Sequence, residues 1–216
     1  MSCIVNPRST SALISAMSET LAIFGGTFSP PHMGHVHAAE AFCEHIHPDR
    51  FLIIPTYFPP HKQHLGTASP TQRIDMCRLA FGHIPNVEVS DIEITRGGVS
   101  YTADTLEALS CDGRKLAFLC GTDMMLTLDR WYAPEKIFAL CDIYCIRREC
   151  DETLLAQIEQ ANARYFEKFG KRVTFIDASE VIVSSTEIRE ALRQGKKHPM
   201  LPEKVAEYII ERGIYL

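Results

Sequence analysis

Two imidazoles stand three residues apart in IFGGTFSPPHMGH, residues 23–35, a stretch that opens on paired glycines and passes through two prolines. Gly25 and Gly26 follow an apolar run, and a missing Cβ at such a turn lets a phosphate approach backbone N–H groups. His32 and His35 fall around the start of the next helix, where imidazoles can donate to phosphate oxygens and the helix dipole adds its positive end. Three chemistries compete here, phosphate binding being the first. A metal site is the second, because HMGHVH offers three imidazoles; yet no acidic or Cys partner stands at a recognised ligand spacing, and His35 and His37 diverge on a helix. A solvated histidine cluster is the third. The glycine spacing is not that of a dinucleotide fingerprint, and no P-loop Lys follows, so a dehydrogenase ranks last.

Further candidates lie downstream. In VSSTEIR (183–189), Ser184, Ser185 and Thr186 gather hydroxyls and unpaired N–H groups at a helix start. Arg189 follows one turn inside, able to fork onto a phosphate. A plain capping box of Ser184 with Glu187 reads equally well, and both can hold at one helix end. Asp123 follows LCG at a strand end, where a carboxylate can accept from a ribose hydroxyl or cap a helix. Trp131 is the sole tryptophan and sits beside Tyr132, so its face could stack on a planar ring or fill a core. Arg147 and Arg148 end a strand, and His61 and Lys62 lie on a long loop that would otherwise read as solvated surface.

Taken together, these residues carry a family resemblance. GGTFSPPHMGH resembles the T/HxGH signature of the nucleotidyltransferase superfamily, and VSSTEIR resembles its distal ISSTxIR partner. PPHK (59–62), SYTADTL (100–106), GTDMMLTLDRWY (121–132) and CIRR (145–148) are similar to segments of the bacterial nicotinate-mononucleotide adenylyltransferases, in the same order over residues 21–216. Ser29 departs from the Asp usual there, which implies altered loop rigidity rather than lost chemistry. The resemblance implies that Gly25, Gly26, Thr27, Phe28, His32, His35, Asp123, Arg147, Ser184, Ser185, Thr186 and Arg189 meet ATP. The distal element would hold its β- and γ-phosphates. His61, Lys62, Tyr101, Thr102 and Trp131 would meet nicotinate mononucleotide, with the tryptophan stacking on the pyridine. His32, His35 and Arg189 are the residues expected to act in catalysis.

The elements that must position these groups can be read from periodicity. LAIFG (21–25), RFLIIP (50–55), VEVSDIEI (87–94), KLAFLCG (115–121), DIYCIRR (142–148) and VTFID (173–177) read as strands. Helices are expected from Gly34 to about Ile46, from Ser69–Pro70, near Tyr101, over about 151–169, and over roughly 185–194 and 202–212, the last stopped by Gly213. Alternating strands and helices imply an α/β, Rossmann-like, mainly parallel sheet with helices on both faces and a small helical part from about residue 184. Ligands of such sheets bind outside the strands' carboxyl ends, where residues 25–35, 121–132 and 147–148 all fall. One domain over 21–216 is expected, preceded by an extension over 1–20 with no targeting signal.

Composition narrows the class further. A net charge of −5 on 216 residues argues against a general nucleic-acid binder, so an anionic ligand must be met by local cations. No apolar run approaches the roughly 20 residues of a membrane span. The eight cysteines include no Cys-x-x-Cys pair and read as reduced thiols of a cytoplasmic protein. The sequence does not specify an oligomeric state. The activity implied is adenylyl transfer from ATP to nicotinate mononucleotide, with Mg²⁺ bridging ATP phosphates and no protein metal site. Another phosphorylated acceptor, nicotinamide mononucleotide or phosphopantetheine, and a non-catalytic nucleotide-binding module are the alternatives.

Overall fold

The computed structural model describes residues 19–60, 68–111, 113–147, 152–178, 181 and 183–216. Six strands form one parallel sheet in the order β3-β2-β1-β4-β5-β6: β1 Thr20–Gly26, β2 Arg50–Pro55, β3 Val87–Val89, β4 Lys115–Gly121, β5 Cys141–Arg147 and β6 Thr174–Asp177. The chain winds outward from β1 through β2 to β3, then restarts on the other side of β1 with β4. The carboxyl ends of β1 and β4 therefore diverge into a crevice, the place where open α/β sheets bind ligands.

Strand side chains alternate between the faces, and each face has its own core. Ala22, Phe24, Phe51, Ile53, Ala117 and Leu119 point to one side, where α1 (Met33–Ile46), α2 (Pro70–Phe81), α8 (Ser185–Arg193) and α9 (Glu203–Arg212) cover them. Leu21, Ile23, Leu52, Ile54, Leu116 and Phe118 point to the other, beneath α4 (Thr102–Leu109), α6 (Pro134–Leu140) and α7 (Glu152–Phe169). Ile188, Leu192, Val205 and Ile209 sit in the first of these cores, so the helical C-terminal part shares its interior with the sheet.

Most expected elements are present, and the differences have local causes. Thr20 belongs to the sheet, opposite Lys115, whose N–H donates to the Glu19 carbonyl, and Asp49 N–H donates to that of Thr20. The expected strand over 87–94 pairs only through Val89. Ser90 N–H closes the ladder on the Ile53 carbonyl, its hydroxyl accepts from Ile92 N–H, and the chain turns into α3 (Ile92–Arg96). α5 (Thr122–Met125), a 3₁₀ turn at Leu128–Arg130 and α6 were not anticipated, although Pro134 at the head of α6 is a helix-start residue. Ser69 and Gln72 do form the reciprocal cap that opens α2. Among the described residues no helix is long and apolar enough to cross a membrane.

Candidate active site

A cleft of about 650 Å³ opens at the carboxyl ends of β1 and β4. Gly25, Gly26, Thr27 and His35 line one wall; Tyr101, Thr102, Asp123 and Trp131 line the other. The two glycines serve different ends. A Cβ on Gly25 would meet nothing within 4 Å, whereas one on Gly26 would stand 2.9 Å from Cζ of Phe28. Phe28 itself adopts a left-handed backbone conformation (φ 47°) and is fully buried, so it props the turn from beneath rather than facing the cleft. Its ring meets those of Phe24, Phe81 and His35 edge to face, with the His35 centroid 5.1 Å away.

His32 occupies the position just before α1 and is buried; His35 lies in the first turn. Their rings stack with centroids 3.6 Å apart and planes 27° from parallel. His32 N–H donates to Nδ1 of His35 at 3.2 Å, so Nδ1 is the unprotonated nitrogen and the proton sits on Nε2, at the far edge of the ring. His35 thus lines the cleft while His32 sets its orientation from behind. Gly34 between them is closely packed: a Cβ there would lie 3.1 Å from both His32 Nδ1 and Val183 Cγ1, which would have to give way by a few tenths of an ångström.

Val183 brings in the distal motif. Ser184 caps α8 by accepting from Glu187 N–H, one half of the reciprocal cap expected there. Ser185 Oγ donates to the Pro30 carbonyl at 2.9 Å, and Arg189 donates to the Ser29 carbonyl at 2.8 Å and to Thr186 Oγ1 at 3.0 Å. Two segments more than 150 residues apart in sequence are one piece of structure. Ser29, where the resembling family carries Asp, is buried with its hydroxyl 2.8 Å from that of Tyr215. Burial pushes the Tyr215 phenol up to about 12.

The opposite wall is aromatic. Tyr101 and Tyr132 lie 4.4 Å apart, and Trp131 anchors its Nε1–H on Thr127 Oγ1 at 3.2 Å, leaving its ring against the cleft. Behind them Glu93 is buried and lines the cleft; Thr105 donates to one of its oxygens at 2.7 Å. Burial raises the Glu93 pKa, and the Thr105 bond opposes that rise in part. Arg147, like His32, Ser184, Ser185, Thr186 and Arg189, is not among the residues that line the cleft. The β5–β6 register sets it opposite Asp177, which its Nε reaches at 2.8 Å. His61, Lys62 and Arg148 lie outside the described residues. Arg73 and Glu93 escaped the sequence reading. Arg73 did leave a signal, since it shares the apolar i, i+3, i+4 face of α2 with Met76 and Cys77.

Comparison with known proteins bears on the family and the fold. Residues 23–191 match the cytidylyltransferase-like family model. A probable nicotinate-nucleotide adenylyltransferase of Desulfatibacillum aliphaticivorans is 35% identical over 214 residues, covering 91% of this chain and 99% of that protein. One of the same description from Caldicellulosiruptor saccharolyticus is 36% identical over 197 residues, covering 90% and 98%. The fold is similar to that of Plasmodium falciparum nicotinic acid mononucleotide adenylyltransferase complexed with APC and with NaAD. The TM-score is 0.71 in both cases, at 16% and 17% identity, over 91% of this chain and 97% of those. With a model match across most of its length and relatives this similar end to end, the chain belongs to the cytidylyltransferase-like family, among the nicotinate-nucleotide adenylyltransferases.

Proposed function

We propose that this protein transfers the adenylyl group of ATP to nicotinate mononucleotide, releasing pyrophosphate and forming nicotinate adenine dinucleotide. The observation that carries the reading is the junction of the two motifs. Arg189 and Ser185 are hydrogen-bonded to the carbonyls of residues 29 and 30, within the turn that presents Gly25, Thr27 and His35 to the cleft. One triphosphate can therefore be met from both sides.

The acceptor phosphate is largely ionised at neutral pH, so no general base is required. In-line attack on the α-phosphorus then depends on positioning and on donors preset for the charge that gathers at the reaction centre. His35 Nε2–H serves the α-phosphate in this reading, and His32 holds its ring. The α8 N-terminus, with Ser184, Thr186 and Arg189, takes the leaving pyrophosphate. Asp123, at the head of α5, takes a ribose hydroxyl, and Trp131 with Tyr101 and Thr102 receives the pyridine. His61 and Lys62 stand on the segment expected to face the phosphates of both nucleotides. Mg²⁺ supplies further positive charge in such transfers. Among the described residues no group of three or more His, Cys, Asp or Glu side chains is placed to hold a metal. The six described cysteines are thiols rather than disulfides, in keeping with a cytoplasmic setting.

The test is a product assay with ATP, Mg²⁺ and, separately, nicotinate mononucleotide, nicotinamide mononucleotide and phosphopantetheine. Dinucleotide and pyrophosphate are expected with the nicotinate acceptor and far less product with the others. Saturable ATP binding without pyrophosphate from any acceptor overturns catalysis in favour of a binding module. Equal efficiency with the two pyridine acceptors overturns the base preference alone.

A further inference from the structure

Arg73 is fully buried on α2, and no carboxylate among the described residues is hydrogen-bonded to it. Its Nη1 donates to the Thr27 carbonyl at 3.0 Å, Nη2 makes a longer contact of 3.5 Å with the Tyr57 carbonyl, and among the described residues the buried Nε has no hydrogen-bond partner. Glu93 acts on it through space, and burial lowers its pKa. A buried cation held by carbonyls alone is costly for the fold, and an apolar side chain of similar length would be cheaper.

What the arrangement secures is the direction of a peptide group. A trans peptide points its C=O and N–H in opposite directions. The Thr27–Phe28 bond is trans, so a carbonyl fixed on Arg73 turns the Phe28 N–H away from the core, while Thr27 itself lines the cleft. The second carbonyl extends the tie to the facing wall. Tyr57 N–H donates to Ser100 Oγ and Ser100 N–H donates to the Phe58 carbonyl, just before Tyr101 and Thr102. We infer that Arg73 is a positioning residue for polyphosphate recognition, which aims the Thr27–Phe28 amide outward and sets a positive charge behind it. The inference takes from the adenylyl-transfer reading only the identity of the anion.

The probes are inorganic tripolyphosphate and adenosine, each titrated calorimetrically into the full chain. In Arg73→Met the ratio of tripolyphosphate to adenosine affinity is expected to fall about tenfold, the scale of one hydrogen bond to a charged group. A folded Arg73→Met variant whose ratio stays within about threefold of wild type overturns the inference, because a purely structural residue would weaken both ligands together. If that variant does not fold, Arg73→Lys decides, since one ammonium keeps the charge but lacks the rigid fork that fixes two carbonyls in direction. Its ratio is expected to fall about fivefold, and an unchanged ratio overturns the inference. Wild-type protein that binds neither probe refutes adenylyl transfer and this inference with it. Normal binding of both, with a ratio indifferent to residue 73, refutes this inference alone.

Discussion

Gly25→Ala and Gly26→Ala sit one position apart, yet the geometry assigns them opposite consequences. An added Cβ on Gly26 would stand 2.9 Å from Phe28 Cζ and 3.1 Å from Cε1 and Cε2. Carbon atoms prefer about 3.5–4.0 Å, so the ring must retreat by roughly 0.5–1 Å. It cannot do so freely, being fully buried among Phe24, Phe81 and His35. Overpacking of this kind costs about 1–3 kcal/mol, which for a chain this long lowers Tm by roughly 2–4 °C per kcal/mol. Because His35 rests edge-on against the same ring, turnover should fall as well. On Gly25 the same methyl meets nothing within 4 Å and no positive φ opposes it, so stability should stay within about 0.5 kcal/mol of wild type. The methyl would instead stand in the cleft, where a phosphate approaches the backbone, and ATP affinity should fall about tenfold, or ~1.4 kcal/mol. Thermal unfolding and calorimetric ATP titration of the two variants separate the effects. An unchanged ATP affinity in Gly25→Ala would mean that the triphosphate does not lie against this backbone. An unchanged Tm in Gly26→Ala would mean that Phe28 is not a rigid prop.

Other outcomes follow from the same geometry. His35→Ala should retain the fold and lose roughly 100-fold or more in turnover, the scale of one preset donor; near-normal turnover by pyrophosphate release would remove His35 from catalysis. Trp131→Ala should raise KM for the pyridine acceptor about tenfold, in line with the ~1–3 kcal/mol of base–aromatic stacking. ATP affinity should stay near wild type, and an equal loss for both substrates would count against a stacking role. Tyr215→Phe should cost about 1 kcal/mol near neutral pH through its bond to Ser29. With the folded phenol at about 12 and the unfolded one near 10, the wild-type contribution is complete below pH 10 and is lost as pH rises toward 12. Denaturant unfolding from pH 8 to 12 should therefore show the gap between the two proteins narrowing above pH 10, and a constant gap would contradict the assigned environment.

The sheet was legible because a parallel strand covered on both faces is written as a short apolar run, as in LAIFG, RFLIIP and KLAFLCG. VEVSDIEI misled for the same reason. β3 is an edge strand of three residues, and nothing in the alternation says that the ladder will stop at Ser90, whose hydroxyl accepts from Ile92 N–H as the chain turns into α3. The candidate cleft was legible where its lining falls on consecutive residues, as at Gly25–Thr27 and Tyr101–Thr102. It was not legible where function depends on which way a buried side chain turns. Arg73 reads as one charge among many until α2 carries it into the core, and nothing in CIRR says that the β5–β6 register will set the half-exposed Arg147 against Asp177.

That buried charge bears on why the two motifs belong together at all. An anion site built from backbone needs its N–H groups outward, and every carbonyl in the same turn is then an acceptor that must be disposed of elsewhere. Here the Thr27 carbonyl is taken by Arg73, that of Ser29 by Arg189 and that of Pro30 by Ser185 Oγ, while Met33 N–H at the head of α1 donates to the Met200 carbonyl. The distal motif thus meets the acceptor demand of the proximal one before any ligand arrives. Arg189 spends Nη1 on the Ser29 carbonyl and brings its positive charge to the same turn. The T/HxGH turn is in that sense incomplete by itself. Its carbonyls are satisfied by side chains from α2 and α8, so elements from both halves of the chain complete the turn.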